Sequence, residues 1–263
     1  MKVRVKYAKT GPLKFISHLD VMRYFQKNIR RAGLDIAYST GLSPHEIISF
    51  AAPMPLMLTS EAEYFDAEFN SLPDRKEFID RLNGTGVPEL KVLDAALLPE
   101  KCLNSMAAVT ASLYRVDLSG RGVREIKENW LSEMRDDFKR LPDDKEIIVI
   151  KKTKKKEEPT DIRPMIHMIE MRDHGEEFLF DWGNGNVSRY CREGETPGYS
   201  LYMLLAAGSK INLRPADILK EVCSRREKEF IRFHYDIHRL ETCMDMPGGG
   251  AGFLSLIDAG TEW

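Results

Sequence analysis

Residues 2–9, KVRVKYAK, alternate in character. Val3, Val5 and Tyr7 fall on one face and Lys2, Arg4 and Lys6 on the other, a period of two that predicts a half-buried strand. Ala8 continues the second face without a charge, and Lys9 breaks the period. Gly11-Pro12 then predicts a turn. From Ser17 the period becomes that of a helix. Ser17, with Asp20 three residues on, forms an acidic variant of the capping box. Gly33 is a natural helix stop. Between them Val21, Met22, Phe25, Ile29 and Ala32 occupy about a third of the circumference, and Arg23, Lys27, Arg30 and Arg31 take the other side. His18 falls on the apolar side.

Residues 35–69 hold turn residues, two short β-rich runs and an alternating strand at 63–69. Pro53 and Pro55 argue against a central ladder position at that point. Pro73-Asp74 opens a helix over 75–82 that Gly84 ends, and LKVLDAALL (90–98) predicts a strand. The order is β-α-β-β-α-β, the split βαβ or ferredoxin-like pattern. A similar order recurs, with strands predicted at 111–119, 145–155, 165–173, 176–182 and 234–244 and helices at 123–138 and 214–226. This second set has one strand more than the first. Pro215 suits the first turn of its last helix. The predicted class is α+β, with two tandem ferredoxin-like (βαββαβ) domains at 1–103 and 107–246 and a Gly-rich tail at 247–263. The tail is expected to be flexible, with Phe253, Leu254 and Leu256 able to dock. KKTKKKEEPT (151–160) reads as a charged hairpin tip, most simply a solvated one. The stretch 183–215 reads as a long irregular connection because of its Gly and Asn content.

The chain has 263 residues, 43% hydrophobic and 30% charged, which fits a folded soluble protein and excludes a disordered one. Net charge is −2, yet residues 1–50 carry nine Lys/Arg against three Asp/Glu, a local balance of +6. A polyanion would meet this region first. No hydrophobic leader opens the chain. No apolar run approaches the roughly 18 residues that span a bilayer, so no membrane association is expected. Cys102, Cys191, Cys223 and Cys243 are scattered without C-x-x-C spacing, which argues against zinc or a cysteine-held cluster. Reduced thiols in a cytoplasmic protein are the expectation. No phosphate-binding Gly loop follows a strand and no G-x-S-x-G elbow is present, so no cofactor is expected.

The block YAKTGPLKFISHLDVMRYFQKNIRRAGLDIAYSTGLSPHEIISFAAPMPLMLTSEAEYFD closely resembles the radical-SAM-linked bacterial domain of unknown function. Shorter matches lie at Asp161-Ile162-Arg163-Pro164, at Gly208-Ser209 and at Leu213-Arg214-Pro215, so the resemblance runs to about Met244. It implies partnership with a radical S-adenosylmethionine enzyme. The domain's association with RNA-processing and ribosomal genes makes RNA the expected ligand. The chain itself lacks the C-x-x-x-C-x-x-C motif of those enzymes, so enzymatic activity of its own is not the expectation. Where the resembled domain often reads Pro-His-Pro-Lys, this chain has Pro44-His45-Glu46-Ile47, which exchanges a cation for a neutral residue and adds an acid.

Three constellations are candidate sites. The first is His18 and His45 with Ser17, Tyr38 and Ser39, where a neutral imidazole could serve as a general base. The alternative for His18 is a buried, hydrogen-bonded residue fixing the helix start. The second is Lys2, Arg4, Lys6, Lys14, Arg23, Lys27, Arg30 and Arg31, an RNA-backbone surface if they converge, or otherwise a solvated face. Tyr7, Tyr24 and Tyr38 could stack bases or belong to the core. The third is Asp161, Arg163, Arg214 and Arg239, which could contact a ligand or bridge loops. The expected function is that of an accessory RNA-associated protein working with a radical SAM enzyme in RNA modification or processing. The alternatives are a histidine-dependent RNA-cleaving or RNA-modifying enzyme and a pure protein-interaction module.

Overall fold

Strand β1 (Lys2–Lys9) leads through a short 3-10 turn (Gly11–Phe15) to helix α1 (His18–Arg31). β2 (Ile48–Phe50), β3 (Thr59–Glu68), α2 (Arg75–Gly84), β4 (Val92–Leu97) and a single helical turn α3 (Ser105–Ala108) follow. Next come β5 (Ala111–Ser119), α4 (Glu128–Arg140), β6 (Ile148–Lys152), β7 (Glu157–Asp161) and β8 (Ile166–Asp173). The chain closes with β9 (Glu177–Asp181), β10 (Val187–Cys191), β11 (Gly198–Ala206), α5 (Pro215–Arg225), β12 (Tyr235–Asp245) and β13 (Phe253–Ser255). This computed structural model describes residues 1–119, 128–152, 157–193, 198–208 and 211–263. The class is α+β, as the sequence predicts. Contacts divide the chain into two units, Met1–Thr110 with His238–Trp263, and Ala111–Ile237, so the division falls within β12.

In the first unit the sheet order is β4-β1-β3-β12, with β2 also on β3 and β13 on β12. β1 pairs antiparallel with β3 and β4, whereas β12 meets β3 in parallel at His238↔Thr59 and Arg239↔Ser60. The capping box at Ser17 forms as predicted, and Gly33 takes φ +65° just past the end of α1. The apolar stripe of α1 then buries Val21, Phe25 and Ile29 against Val5, Tyr7, Phe50 and Phe65. Ring centroids in this cluster lie 4.5 Å apart for Tyr7–Phe25 and 4.9 Å for Phe25–Phe65. A second group packs Phe69 on Phe78 and Phe78 on Trp263.

In the second unit β11 lies between β5 and β8, while β6–β7 and β9–β10 are separate antiparallel hairpins. The predicted strand at 111–119 forms with those bounds, those at 165–173 and 176–182 form with ends shifted by one residue, and α5 lies within the predicted 214–226. The first part of the predicted helix at 123–138 and residues 153–156 of the charged tip lie outside the described residues.

Three expectations are corrected. The stretch expected to be an irregular connection contains β11, whose residues Tyr199–Leu205 are all buried. A strand covered on both faces shows no alternation, so TPGYSLYMLLA carries no period-two signal and its flanking glycines dominate the reading. The expected break at 103/107 moves to 110/111, and most of the predicted closing strand joins the first unit. The Gly-rich tail is ordered: β13 pairs with β12, Leu256 is fully buried, and the Trp263 indole donates to the Pro73 carbonyl at 2.9 Å.

Candidate nucleic-acid interface

Because α1 turns its apolar stripe inward, Arg23, Lys27, Arg30 and Arg31 stay exposed on its outer side. Lys27, Arg30 and Arg31 line an open concavity of about 370 Å³. Arg23 lies 3.7 Å from Asp20, an exposed pair whose carboxylate is already engaged by the Ser17 hydroxyl. Arg30 sits 3.4 Å from Glu46. The pair is an ion pair without hydrogen-bond geometry, and the buried Oε1 of Glu46 has no hydrogen-bond partner. Arg31 Nε donates to the Lys27 carbonyl at 3.4 Å.

The β1 cations do not join this surface. Arg4 is fully buried; its guanidinium donates to both Asp66 oxygens at 2.8 and 3.0 Å, to the Leu256 carbonyl at 3.0 Å and to the Leu103 carbonyl at 2.9 Å. Lys2 is 3.8 Å from Asp66, and Lys6 contacts Glu241 at 2.5 Å beside the Tyr64 ring. The alternation of KVRVKYAK predicts one wet face, but the segments around Leu103 and Leu256 cover it. Lys14 lies over the Phe15 ring at 5.4 Å. Tyr7 is a core residue, Tyr24 donates no base-stacking face because its hydroxyl accepts from Val87 N–H while its ring packs on Phe25, and Tyr38 is 48% exposed.

His18 and His45 belong to different ends of α1. His18 opens the helix and meets Phe50 edge-on at 5.6 Å. His45 precedes Glu46, which pairs with Arg30, about 18 Å further along the helix axis. His45 and Ser39 lock a loop: Ser39 Oγ is 2.9 Å from Nδ1 and accepts the His45 backbone N–H at 3.1 Å. His18 instead lies near a buried polar group in which only Arg239 was a candidate from the sequence, and Lys9 and Glu63 were not. Lys9 is 2% exposed and donates to the Ile16 carbonyl at 3.0 Å, and Arg239 donates to Glu63 at 3.0 Å. Burial pushes the His18 pKa down, Glu63 opposes that shift and Lys9 adds to it. Its neutral form therefore supports the fold above the ordinary value of 6.5, and that contribution is lost as pH falls through the lower folded value. The NMR titration of the His18 ring is expected to have its midpoint below 6.5. A midpoint at or above that value would contradict the burial of the ring beside Phe50.

The third constellation is dispersed. Asp161 accepts from the backbone N–H groups of Ile147 and Arg163, and those bonds hold its carboxyl below the ordinary range. Arg163 bridges the carbonyls of Pro142, Asp144 and Ile166. Arg214 closes the start of α5 on Asp217. These three lie in the second unit and serve local structure there, whereas Arg239 lies in the first unit with Glu63. Among the described residues no three His, Cys, Asp or Glu side chains are grouped to hold a metal ion. Among them, too, no helix is long and apolar enough to cross a membrane.

Compared with known families, residues 2–215 match the model described as an uncharacterized protein conserved in bacteria, DUF2344. No curated protein matches the chain.

Proposed function

This chain belongs to the family of uncharacterized bacterial proteins DUF2344, and from that premise we propose that it is a cytoplasmic, RNA-associated accessory protein that works beside a radical SAM enzyme in RNA modification or processing. One observation carries the RNA part: Arg23, Lys27, Arg30 and Arg31 stand on one exposed side of α1, three of them around a shared concavity. Cations on a rigid helix suit phosphate oxygens, and they bind backbone without reading bases. Lys2, Arg4 and Lys6 are left out of this surface because carboxylates already engage them. The partner rests on the resemblance of the segment around 7–66 to the radical-SAM-linked domain.

Filter binding of structured RNA at two salt concentrations tests the proposal. Binding that weakens steeply with salt, and at least tenfold with Lys27→Glu/Arg31→Glu, is expected. Binding that is absent, or that ignores both salt and the substitutions, sinks it. Capture of a radical SAM enzyme without RNA would favour the interaction-module alternative instead.

The Ser39–His45 contact of 2.9 Å favours a second, enzymatic reading. Against it, Ser39 Oγ already accepts the His45 backbone N–H, so its lone pairs serve the loop. Labelled RNA incubated with wild type and His45→Ala discriminates: turnover lost in the variant supports catalysis, and no turnover in either removes it.

We also read both units as split βαβ folds. Supporting this, the first unit has the neighbours β4-β1-β3 with β2 on β3. The second has the order β5-α4-β8-β11-α5, followed by the first three residues of β12, once the hairpins β6–β7 and β9–β10 are treated as insertions.

A further inference from the structure

We infer that the exposed side of α1 is a rail for three successive phosphates of single-stranded RNA, with Arg30 withheld from it by Glu46. This deepens the RNA reading above and rests on it. Arg23, Lys27 and Arg31 recur every fourth residue. A helix rises about 1.5 Å per residue and turns about 100°, so the three positions step about 6 Å along the axis and drift through about 80° of arc. That step is comparable to the separation of neighbouring phosphates along one strand. The row is about 12 Å long along the helix axis, a length that matches three phosphates of one strand.

Arg30 stands about 20° outside that arc, beside Arg23, and lines the same concavity as Lys27 and Arg31, but its Nε faces Glu46. Glu46 is 8% exposed and its Oε1 has no hydrogen bond, so Arg30 offers this buried carboxylate its charge compensation. An incoming phosphate must compete with it. Tyr38 is paired with Glu46 across a β-bridge, which puts both side chains on the same side of that pair. Its 48% exposed ring therefore stands near the Arg30 end of the row. An aromatic face beside a row of cations is the combination that holds an unpaired base together with its backbone.

The number of phosphates is measurable. Fluorescence anisotropy of labelled oligo(U) of two to eight nucleotides, with a duplex RNA and an oligo(dU) as separate arms, provides it. Affinity is expected to climb steeply up to four nucleotides and only slowly beyond. Each phosphate neutralised on a single strand contributes about 0.7 to the slope of log K against log salt, so the wild-type slope is expected near about −2. Lys27→Ala or Arg31→Ala should flatten it by about 0.7, and Glu46→Gln should steepen it by about 0.7 by releasing Arg30. Arg30→Ala/Glu46→Gln should return the slope to the wild-type value. Oligo(dU) binding equal to oligo(U) would leave the rail standing as a site for any single strand and overturn its assignment to RNA. Duplex bound more tightly than single strand, or slopes unmoved by Lys27→Ala and Arg31→Ala in a protein that still binds RNA, would overturn the rail while leaving RNA association intact. Unchanged binding in Glu46→Gln would overturn the role of Glu46. No binding of any nucleic acid would overturn both this inference and the reading beneath it. Circular dichroism of each variant checks that α1 stays folded.

Discussion

Arg4→Met is expected to lower the stability of the protein by about 3–5 kcal/mol, read from the urea-unfolding midpoint. The effect is large because the side chain is fully buried and its guanidinium makes four hydrogen bonds. Two parallel bonds run to Asp66, and two more reach the Leu103 and Leu256 carbonyls. Methionine fills much of the volume but leaves the Asp66 carboxylate in a dry interior. Among the described residues, the Ser105 N–H at 2.7 Å and the more distant Lys2 ammonium at 3.8 Å would remain beside it. A charge stranded in this way is worth far more than the original pair contributed in net terms. Arg4→Lys should recover little, because one ammonium cannot reproduce a planar fork that meets an acid and two carbonyls at once. Arg4→Met/Asp66→Leu should recover part of the loss by removing the stranded charge. It cannot recover all, since two carbonyls and the Ser105 N–H then lack partners. A midpoint unchanged in Arg4→Met would show that the buried cluster is not as drawn.

Arg4 also marks where sequence reading stops. Its partners are 62, 99 and 252 residues away, so nothing local distinguishes it from Lys2 and Lys6 on the same strand face. Period two records only that one face of β1 is more polar. It does not say whether water or other polar groups will satisfy that face. By contrast α1 was legible to its ends, because its signals are local: a Ser-Asp capping box, an apolar stripe and a glycine stop. The exposed cations on α1 follow from that stripe, and they are the part of the expected RNA surface that remains on the outside. β11 was missed for the opposite reason. Buried on both faces and flanked by glycines, it gives an apolar run without a period, and losing it disguised the element order of the second unit. Among the site residues, Glu46 was visible only as a departure from a resembled pattern. That it lies under Arg30 depends on a loop returning to the helix, which no spacing predicts.

A chain ending at Met246 is expected to lose more than about 5 kcal/mol and to fail to reach a folded first unit. The Gly-rich composition of the removed segment suggests a dispensable tail, so this outcome separates composition from structure. The segment supplies β13, whose Ser255 hydroxyl lies 2.9 Å from the Tyr64 hydroxyl, itself bonded to Glu241 at 2.6 Å. It supplies the Leu256 carbonyl on Arg4 and a Leu256 side chain with no exposed surface. It also supplies Trp263, which closes over Phe78 at 5.6 Å between centroids. Leu256→Ala by itself should remove about 2–5 kcal/mol through lost burial and the cavity left behind. Truncation also takes one hydrogen-bond partner each from Arg4 and Tyr64, the Leu256 carbonyl and the Ser255 hydroxyl, and marginal domains have only about 5–15 kcal/mol in total. Hydrogen exchange of the β1, β3 and β12 amides is the sharper measurement, since those strands lose their covering segment. Protection equal to that of the full chain would mean that the segment merely rests on the surface. Rapid exchange there, together with a reduced midpoint in Leu256→Ala, would mean that the residues after β12 complete the core that begins with β1. The glycines then act as the hinges that let so short a segment turn back: Gly248, Gly249 and Gly252 all take positive φ, which a β-branched or bulky residue could adopt only with strain.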